Sequence, residues 1–326
     1  MKRTRAVLEQ FGLYLLLLAA ALPAGAQNKQ FASETPGAGQ QEREEPTFRL
    51  NVRLVNVFTT VTDSHGTPVA NLTKSDFQVL EDGRPQTISV FDKESEMPLS
   101  IVLEVDTSES TRRDIKLEIA SAKRFVRSIM RPVDRLSVFQ ITDNVDQLTR
   151  FSSDMKYIDR GIERLTEGAG TSLYDAIYLG ADALVERQGR KVMVLITDGG
   201  DTTSHTDYAN ALRRAQQSEA IVYSIIVVPV EADAGRNLGG EHALMQISHD
   251  TGGKYYYASG ADDLDKAFRQ ISEELRTQYL LAYYPSRQRS DSSFRRISVV
   301  VTRKAPDGQP YQVRHRAGYY TTTAAK

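Results

Sequence analysis

The fold is decided by the stretch Leu99-Ser100-Ile101-Val102-Leu103-Glu104-Val105-Asp106-Thr107-Ser108-Glu109-Ser110. The run before Asp106 is mostly apolar, which is typical of a strand buried on both faces. Asp106, Ser108 and Ser110 follow that run, so three oxygen-bearing side chains stand where the predicted strand ends. In open α/β sheets, ligands bind at this carboxyl end of the strands.

Two later segments repeat the pattern of polar residues beside a strand end or a glycine turn. Residues 191–197 form a second apolar run that leads into Asp198, and Thr171 lies in the glycine-bearing segment 168–173. If the two apolar runs are neighbouring strands of a parallel sheet, all three polar segments meet at one edge of that sheet.

The segment 98–278 alternates between strand and helix patterns. After the Ser110 loop, for example, apolar residues from Ile115 to Ile129 recur at helical spacing. Such alternation implies right-handed crossovers between strands. We therefore predict an α/β domain with a doubly wound, mostly parallel sheet.

The side chains Asp106, Ser108, Ser110, Thr171 and Asp198 offer only oxygen atoms as ligands. Hydroxyl and carboxylate oxygens suit a hard divalent cation, which predicts Mg²⁺ at this edge, with Mn²⁺ or Ca²⁺ as alternatives. An alternative is that the Ser and Asp residues cap helices that follow the strands, because helix N-caps favour the same residue types.

The five residues resemble the metal-ion-dependent adhesion site of von Willebrand factor type A domains. That family carries Asp-x-Ser-x-Ser, a distant Thr, and an Asp in a Thr-Asp-Gly context, matched here by Asp106, Ser108, Ser110, Thr171 and Asp198. The resemblance implies a Rossmann-like fold and a Mg²⁺ ion that binds an Asp or Glu of a partner protein. Glu109 departs from the family pattern, in which a small residue often stands between the two serines.

The segments 47–97 and 279–326 read as strands on either side of the α/β domain. Neither has enough strands to bury a core alone, so we predict that they pack together into one β-sandwich-like module. Residues 311–320 are predicted as a single strand of it. The runs Leu72–Phe77 and Tyr279–Tyr283 also resemble the flanks of the type A domain in a family of exported bacterial proteins.

The first 26 residues are typical of a signal peptide. Lys2, Arg3 and Arg5 precede an apolar core, and the run ends in Ala24-Gly25-Ala26, a pattern that signal peptidase cleaves. A short membrane anchor is the alternative, but the uncharged stretch 11–26 has 16 residues, fewer than the roughly 20 of a spanning helix. We expect a periplasmic or secreted protein, with residues 27–46 as a disordered linker.

Composition excludes several classes of function. The chain has 326 residues, no Cys and a net charge of −1. A nearly neutral chain gives no electrostatic reason to bind nucleic acid, and the lack of Cys excludes disulfides, cysteine nucleophiles and thiolate metal sites. The sequence also lacks a P-loop, a Gly-x-Ser-x-Gly turn and a paired-histidine zinc motif.

These observations predict a non-enzymatic, exported, metal-dependent protein-binding or adhesion module. One alternative is a structural scaffold that binds through its β module while the metal site is silent. A weaker alternative is a metal-dependent hydrolase, in which Glu109 or Asp201 would act as the base. The sequence does not identify the partner or the oligomeric state.

Overall fold

The chain alternates between strands and helices in its middle and forms strands on both sides. The computed structural model describes residues 54–93, 96–108, 115–228, 237–287 and 291–321. The strands are β1 (Val55–Thr62), β2 (Phe77–Glu81), β3 (Arg84–Gln86), β4 (Ile88–Lys93), β5 (Leu99–Asp106), β6 (Arg135–Ile141), β7 (Val145–Gln147), β8 (Arg190–Thr197), β9 (Ile221–Val227), β10 (Tyr255–Ala258), β11 (Tyr279–Tyr283), β12 (Phe294–Val301), β13 (Gln312–Arg314) and β14 (Gly318–Tyr320). The helices are α1 (Ile115–Ile129), α2 (Met155–Ile162), α3 (Leu173–Val185), α4 (Tyr208–Ser218), α5 (Leu238–Thr251) and α6 (Ala261–Thr277).

Six of these strands form one mixed sheet in the order β10-β9-β8-β5-β6-β7. Every neighbouring pair is parallel except β6 and β7, which are antiparallel. The strand that ends at Asp106 lies directly beside the strand that precedes Asp198, with Val105 opposite Ile196. The predicted α/β fold with a mostly parallel sheet is confirmed.

Strand β5 is buried along its whole length because helices cover both faces of the sheet. Leu103 and Val105 pack into a core beneath α1 and α6, where Phe125 stacks on Phe268 at 4.4 Å between ring centroids. Val102 packs into a second core beneath α3. Each fully buried Leu or Val contributes about 1.5–3 kcal/mol. The two cores therefore fix the position of the end of β5, where Asp106 begins the first polar cluster.

The remaining strands form two four-stranded sheets, ordered β13-β1-β11-β4 and β14-β12-β2-β3. Each sheet mixes strands from the two ends of the described chain. Strand β1 pairs with both β11 and β13, and β2 pairs with β12, all in antiparallel fashion. The predicted β module, built from both flanks of the α/β domain, is confirmed.

The chain enters and leaves the α/β domain at one place in the β module. Strand β4 precedes the domain, and β11 follows α6 after a single residue. These two strands are hydrogen-bonded neighbours, and Lys93 lies opposite Tyr279. The domain is thus inserted between two adjacent strands of the module.

A buried arginine ties the α/β domain to the module. Arg190, at the start of β8, donates to the backbone oxygen of Leu275 at 2.6 Å and to the side-chain oxygen of Gln278. Gln278 in turn donates to the hydroxyl of Thr60 in β1 at 3.1 Å. Burial lowers the pKa of Arg190 to about 10.

One predicted strand differs from the structure. Residues 311–320 form two short strands, β13 and β14, which belong to different sheets. Between them, the Arg316 guanidinium donates to the backbone oxygen of Asn56 at 2.6 Å, and the backbone N–H of Ala317 donates to the oxygen of Asp250 at 2.9 Å. These contacts with β1 and α5 come from distant parts of the chain, and the chain changes sheets there.

The predicted signal peptide and linker lie outside the described residues. Among the helices that the structure describes, none combines the length and apolarity needed to cross a membrane.

Candidate metal centre

Asp106 is the last residue of β5 and is 0% exposed. One of its carboxylate oxygens, Oδ1, accepts the backbone N–H of Ser108 at 3.0 Å. The other, Oδ2, accepts the hydroxyl of Thr197 at 2.6 Å. Since Thr197 ends the neighbouring strand β8, the two strands fix the orientation of this carboxylate between them.

The environment of Asp106 disfavours its negative charge. Burial raises the pKa of Asp106 to about 6, although hydrogen bonds from Thr197 and Ser108 oppose this shift. The nearby carboxylate of Asp198 raises the pKa further. A divalent cation beside both carboxylates would favour their charged forms.

Asp198 follows β8 and is half-buried at the same edge of the sheet. Its Oδ1 accepts the backbone N–H of Gly200 at 2.9 Å, whereas its Oδ2 has no hydrogen-bond partner in the described part of the chain. The turn is held by the N–H of Gly199, which donates to the Thr197 hydroxyl at 3.1 Å. Gly199 has a φ of +85°, a value that suits glycine and strains other residues.

Thr171 is fastened to the loop that follows Asp198. Its backbone oxygen accepts the N–H groups of Thr202 and Thr203, at 2.9 and 3.2 Å, and its own N–H donates to the Thr202 hydroxyl at 2.9 Å. The residue is 4% exposed. The Thr171 hydroxyl nevertheless makes no hydrogen bond with any described residue.

The structure gathers four of the five predicted side chains at the carboxyl edge of the sheet. Asp106 contacts Ser108 directly and interacts electrostatically with Asp198. Thr171 is bonded to the loop that begins at Asp198. Ser110, the fifth, lies outside the described residues, and the role of all five as metal ligands stays a prediction.

The donor atoms fit a hard cation such as Mg²⁺. The residues at this edge offer carboxylate and hydroxyl oxygens, the ligand types that Mg²⁺ prefers. The Thr171 hydroxyl and the Asp198 Oδ2, neither of which has a hydrogen bond within the described part of the chain, leave donor capacity that a cation would use. No cluster of three or more His, Cys, Asp or Glu side chains occurs among the described residues, so they offer no richer acidic or imidazole site.

Sequence reasoning did not assign a role to Thr197, which orients Asp106 and supports the Asp198 turn. It precedes Asp198 in Ile196-Thr197-Asp198-Gly199, where it reads as the last residue of a strand. Its position directly before Asp198, a predicted metal ligand, was the sequence signal that could have pointed to a role at the site. Its hydrogen bond to Asp106, across 91 positions in the sequence, depends on the pairing of β5 with β8.

Comparison with known families agrees with this geometry. The family model described as von Willebrand factor type A domain matches residues 101–201, from β5 to the loop after Asp198. The chain contains a von Willebrand factor type A domain. The segment from β5 to α6 is called the A domain below.

Several solved structures resemble the chain at low sequence identity. A von Willebrand factor type A protein from Catenulispora acidiphila is 11% identical, with a TM-score of 0.49, over 76% of this chain and 74% of the other. The vWF domain of the type V pili tip protein Mfa5 from Porphyromonas gingivalis is 14% identical, with a TM-score of 0.45, over 54% and 94%. The pilus adhesin SpaC from Lactobacillus rhamnosus GG is 14% identical, with a TM-score of 0.46, over 65% and 36%. No curated protein matches the chain.

Helix α5 packs against the turn that carries Asp198. A Cβ atom on Gly240 would lie 1.5 Å from the backbone oxygen of Gly199, so the first turn of α5 packs directly on the Asp198 turn. In contrast, a Cβ atom on the neighbouring Gly239 would meet only the Asn237 Oδ1, at 3.6 Å.

We therefore expect Gly240→Ala to destabilise the protein by about 1–3 kcal/mol and to weaken the predicted Mg²⁺ binding, because the Asp198 turn must move. Gly239→Ala is the matched control, and it is expected to stabilise α5 by about 0.5–1 kcal/mol without changing Mg²⁺ affinity. Urea unfolding and calorimetric Mg²⁺ titration measure both effects. Equal free energies of unfolding and equal Mg²⁺ affinities in the two variants would contradict the contact between α5 and the Asp198 turn.

A second carboxyl group is buried in the A domain near Asp106. Glu104 is 0% exposed, and neither side-chain oxygen has a hydrogen-bond partner among the described residues. Gly180 of α3 leaves the space for it, since a Cβ atom there would lie 2.0 Å from the Glu104 Oε1. Burial raises the pKa of Glu104 well above its usual value.

This environment predicts a pH-dependent difference between the wild type and Glu104→Gln. Above about pH 4.3 the unfolded chain ionises Glu104 while the folded protein keeps it protonated. The wild type should therefore lose up to about 1.4 kcal/mol of stability per pH unit relative to the Gln variant as the pH rises. Urea unfolding at pH 5, 6 and 7 measures the difference, with the exposed Glu186→Gln as control. A difference that does not change with pH would show that Glu104 is charged in the fold.

Proposed function

We propose that this protein is an exported binding module whose A domain captures a carboxylate of a partner protein through a divalent cation. The ligands would be Asp106, Ser108, Ser110, Thr171 and Asp198, with Mg²⁺ as the ion. The observation that carries the proposal is the convergence at one sheet edge of two carboxylates and the Thr171 hydroxyl, which makes no hydrogen bond with a described residue. The proposed export follows from the signal-like residues 1–26.

The donor set favours binding of an outside anion. Only two of the five side chains, Asp106 and Asp198, carry negative charge, and the hydroxyls are neutral. A divalent cation held there would keep part of its positive charge and attract an Asp or Glu of a partner. The chain's contribution is to fix Asp106 through Thr197 and to hold Thr171 against the loop after Asp198.

The surroundings of the site favour binding over hydrolysis. A hydrolase would need a base free to accept a proton near the reacting atoms. Asp201, one candidate for that role, is held by the Ser204 hydroxyl at 2.5 Å and the Tyr174 N–H at 3.3 Å, both at its Oδ1. These contacts give Asp201 a structural role in the loop. Glu109, the other candidate base, lies outside the described residues.

The proposal is tested by Thr171→Ala, because this change removes a donor atom without removing any described hydrogen bond. Thr62→Ala, in β1 of the module, is the matched control, since its hydroxyl also has no described hydrogen bond. We expect Mg²⁺ affinity to fall at least tenfold in Thr171→Ala and to stay unchanged in Thr62→Ala. Calorimetric titration with Mg²⁺ measures this.

Partner capture supplies the second half of the test. Mature protein is immobilised and exposed to the envelope and culture fractions of its source organism, with Mg²⁺ or with EDTA. A partner bound by the wild type and Thr62→Ala with Mg²⁺, and lost with EDTA or Thr171→Ala, supports the proposal. A partner bound equally under all conditions would assign binding to the β module and overturn the metal-dependent function.

A further inference from the structure

A cavity of about 560 Å³ lies where the β module meets the A domain, and it is called the junction cavity below. Strand β12 lines it through Phe294, Arg296 and Ile297. Residues 312–314 of β13 line it as well, and His249, in the last turn of α5, lines it from the A domain. A volume of about 300–1,000 Å³ is typical of small-molecule sites.

The junction cavity exists because two sheets of the module separate there. Strand β13 is the end strand of one sheet, whereas β12 lies inside the other. The pairing of β12 with β14 covers only residues 294–296, and the chain between β13 and β14 crosses from one sheet to the other. The edges of β12 and β13 are therefore not joined by a ladder of backbone hydrogen bonds among the described residues, which leaves space between them.

His315 fixes the two sides of the junction cavity relative to each other. Its Nε2 accepts the backbone N–H of Val299 in β12 at 3.1 Å, and its Nδ1 donates to the backbone oxygen of Arg316 at 2.7 Å. These two contacts require the neutral ring with its proton on Nδ1. Burial lowers the pKa of His315, which also favours the neutral ring. The cavity is thus preformed, so a ligand would not have to open it.

Arg296 brings an unpaired positive charge to the junction cavity. The residue is exposed, and its guanidinium makes no hydrogen bond or ion pair with any described residue. In contrast, Arg314 pairs with Glu274 of α6, and His249 lies 3.1 Å from the carboxylate of Asp250. None of the described residues that line the cavity is Asp or Glu. The charge left for a ligand is therefore positive.

Apolar side chains lie beside this charge. Phe294 precedes Arg296 by two positions on β12, so the two side chains project from the same face of the strand. The Phe294 ring is half-buried and packs edge-on against Tyr320, with 5.1 Å between the ring centroids. Ile297 and Val313 reach the cavity from the hydrophobic core of the module. Apolar surface beside one free cation is complementary to an anion that carries an apolar group.

We infer that the junction cavity binds a small organic anion, in which one carboxylate, sulfonate or phosphate group is attached to an apolar body. The anionic group would pair with the planar guanidinium of Arg296, which suits the oxygen atoms of such groups. It would also accept the amide N–H of Gln312, an exposed side chain that makes no hydrogen bond with a described residue. The apolar body would cover Phe294 and Val313.

This site is separate from the candidate metal centre. The first turn of α5 packs on the Asp198 turn at Gly240, whereas His249 at the junction cavity is nine residues further along the same helix. At 1.5 Å per residue the two places are about 14 Å apart along the helix axis. The inference therefore does not rest on the proposed function, and it holds or fails without a metal ion.

Two fluorescent probes that share one apolar framework test the inference. 1-Anilinonaphthalene-8-sulfonate carries an anionic group, and N-phenyl-1-naphthylamine is the same framework without it. Both are titrated against the mature protein at fixed ionic strength. We expect the sulfonate to bind one site with a Kd of about 10–100 µM and the neutral probe to bind at least about tenfold more weakly. No binding of the sulfonate, or equal binding of both probes, would overturn the inference.

Three variants locate the site. Arg296→Gln removes the free charge, and Gln312→Glu places a negative charge on the opposite strand without a large change of shape. Each should weaken sulfonate binding at least about fivefold and leave the neutral probe unaffected. Arg269→Gln, an exposed change on α6 outside the cavity, is the matched control and should bind both probes as the wild type does. If Arg296→Gln or Gln312→Glu binds the sulfonate as tightly as the control, the anion is not held between β12 and β13 and the inference is wrong.

Discussion

Thr197→Val should weaken the proposed Mg²⁺ binding by about 10- to 100-fold, although valine has nearly the shape of threonine. The Thr197 hydroxyl donates to the Asp106 Oδ2 at 2.6 Å and accepts the Gly199 N–H at 3.1 Å. Groups that orient metal ligands typically contribute this much to affinity. Valine removes the hydrogen bonds that the Thr197 hydroxyl makes with one buried carboxylate and one buried N–H, so we also expect the free energy of unfolding to fall by about 1–3 kcal/mol.

Calorimetric Mg²⁺ titration and urea unfolding measure the two effects of Thr197→Val. Thr302→Val is the matched control, because its hydroxyl also donates a hydrogen bond, to the backbone oxygen of Asp76 at 3.2 Å, but in the β module. The control should keep the Mg²⁺ affinity of the wild type. If Thr197→Val binds Mg²⁺ as tightly as the control does, the orientation of Asp106 does not govern metal binding.

Glu81→Ala in the β module should destabilise the protein by about 3–5 kcal/mol. Glu81 is buried and accepts Arg295 at 2.6 Å, Tyr283 at 2.8 Å and Tyr319 at 2.9 Å. Removing the carboxylate leaves the buried Arg295 guanidinium without its counter-charge and two tyrosine hydroxyls without an acceptor. Breaking one side of a buried ion pair has an effect of this size.

The double variant Glu81→Leu/Arg295→Met separates the ion pair from the packing around it. Replacing both charges by apolar side chains of similar volume is often neutral or stabilising, so the double variant should recover most of the stability lost by Glu81→Ala. Thermal and urea unfolding measure all three proteins. A double variant as unstable as Glu81→Ala would locate the loss in the tyrosine contacts instead of the unpaired arginine.

Much of the A-domain architecture was predictable because local patterns determine it. An apolar run that ends in a polar cluster can be recognised without knowing its neighbours, as in β5 before Asp106 and β8 before Asp198. Parallel strands joined by helices then bring those clusters to one edge, whatever the details of packing. The structure does place β5 beside β8.

The structural features that the sequence did not predict depend on contacts between residues that are far apart in the chain. The role of Thr197 requires the pairing of β5 with β8, and Gly240 requires the first turn of α5 to reach Gly199. The buried Glu81–Arg295 pair joins positions 214 residues apart. A period of two or 3.6 residues in the sequence carries no information about such contacts.

The insertion of the A domain between two adjacent strands has a mechanical consequence. A partner that pulls on the A domain would transmit tension to the β module along β4 and β11 together, since Lys93 and Tyr279 face each other where the chain leaves and returns. Neither connection alone would carry the load. Strand β11 also pairs with β1 from Val55 to Thr59, so part of the tension would pass into a third strand. Tension on the A domain would thus be shared among three hydrogen-bonded strands of the module.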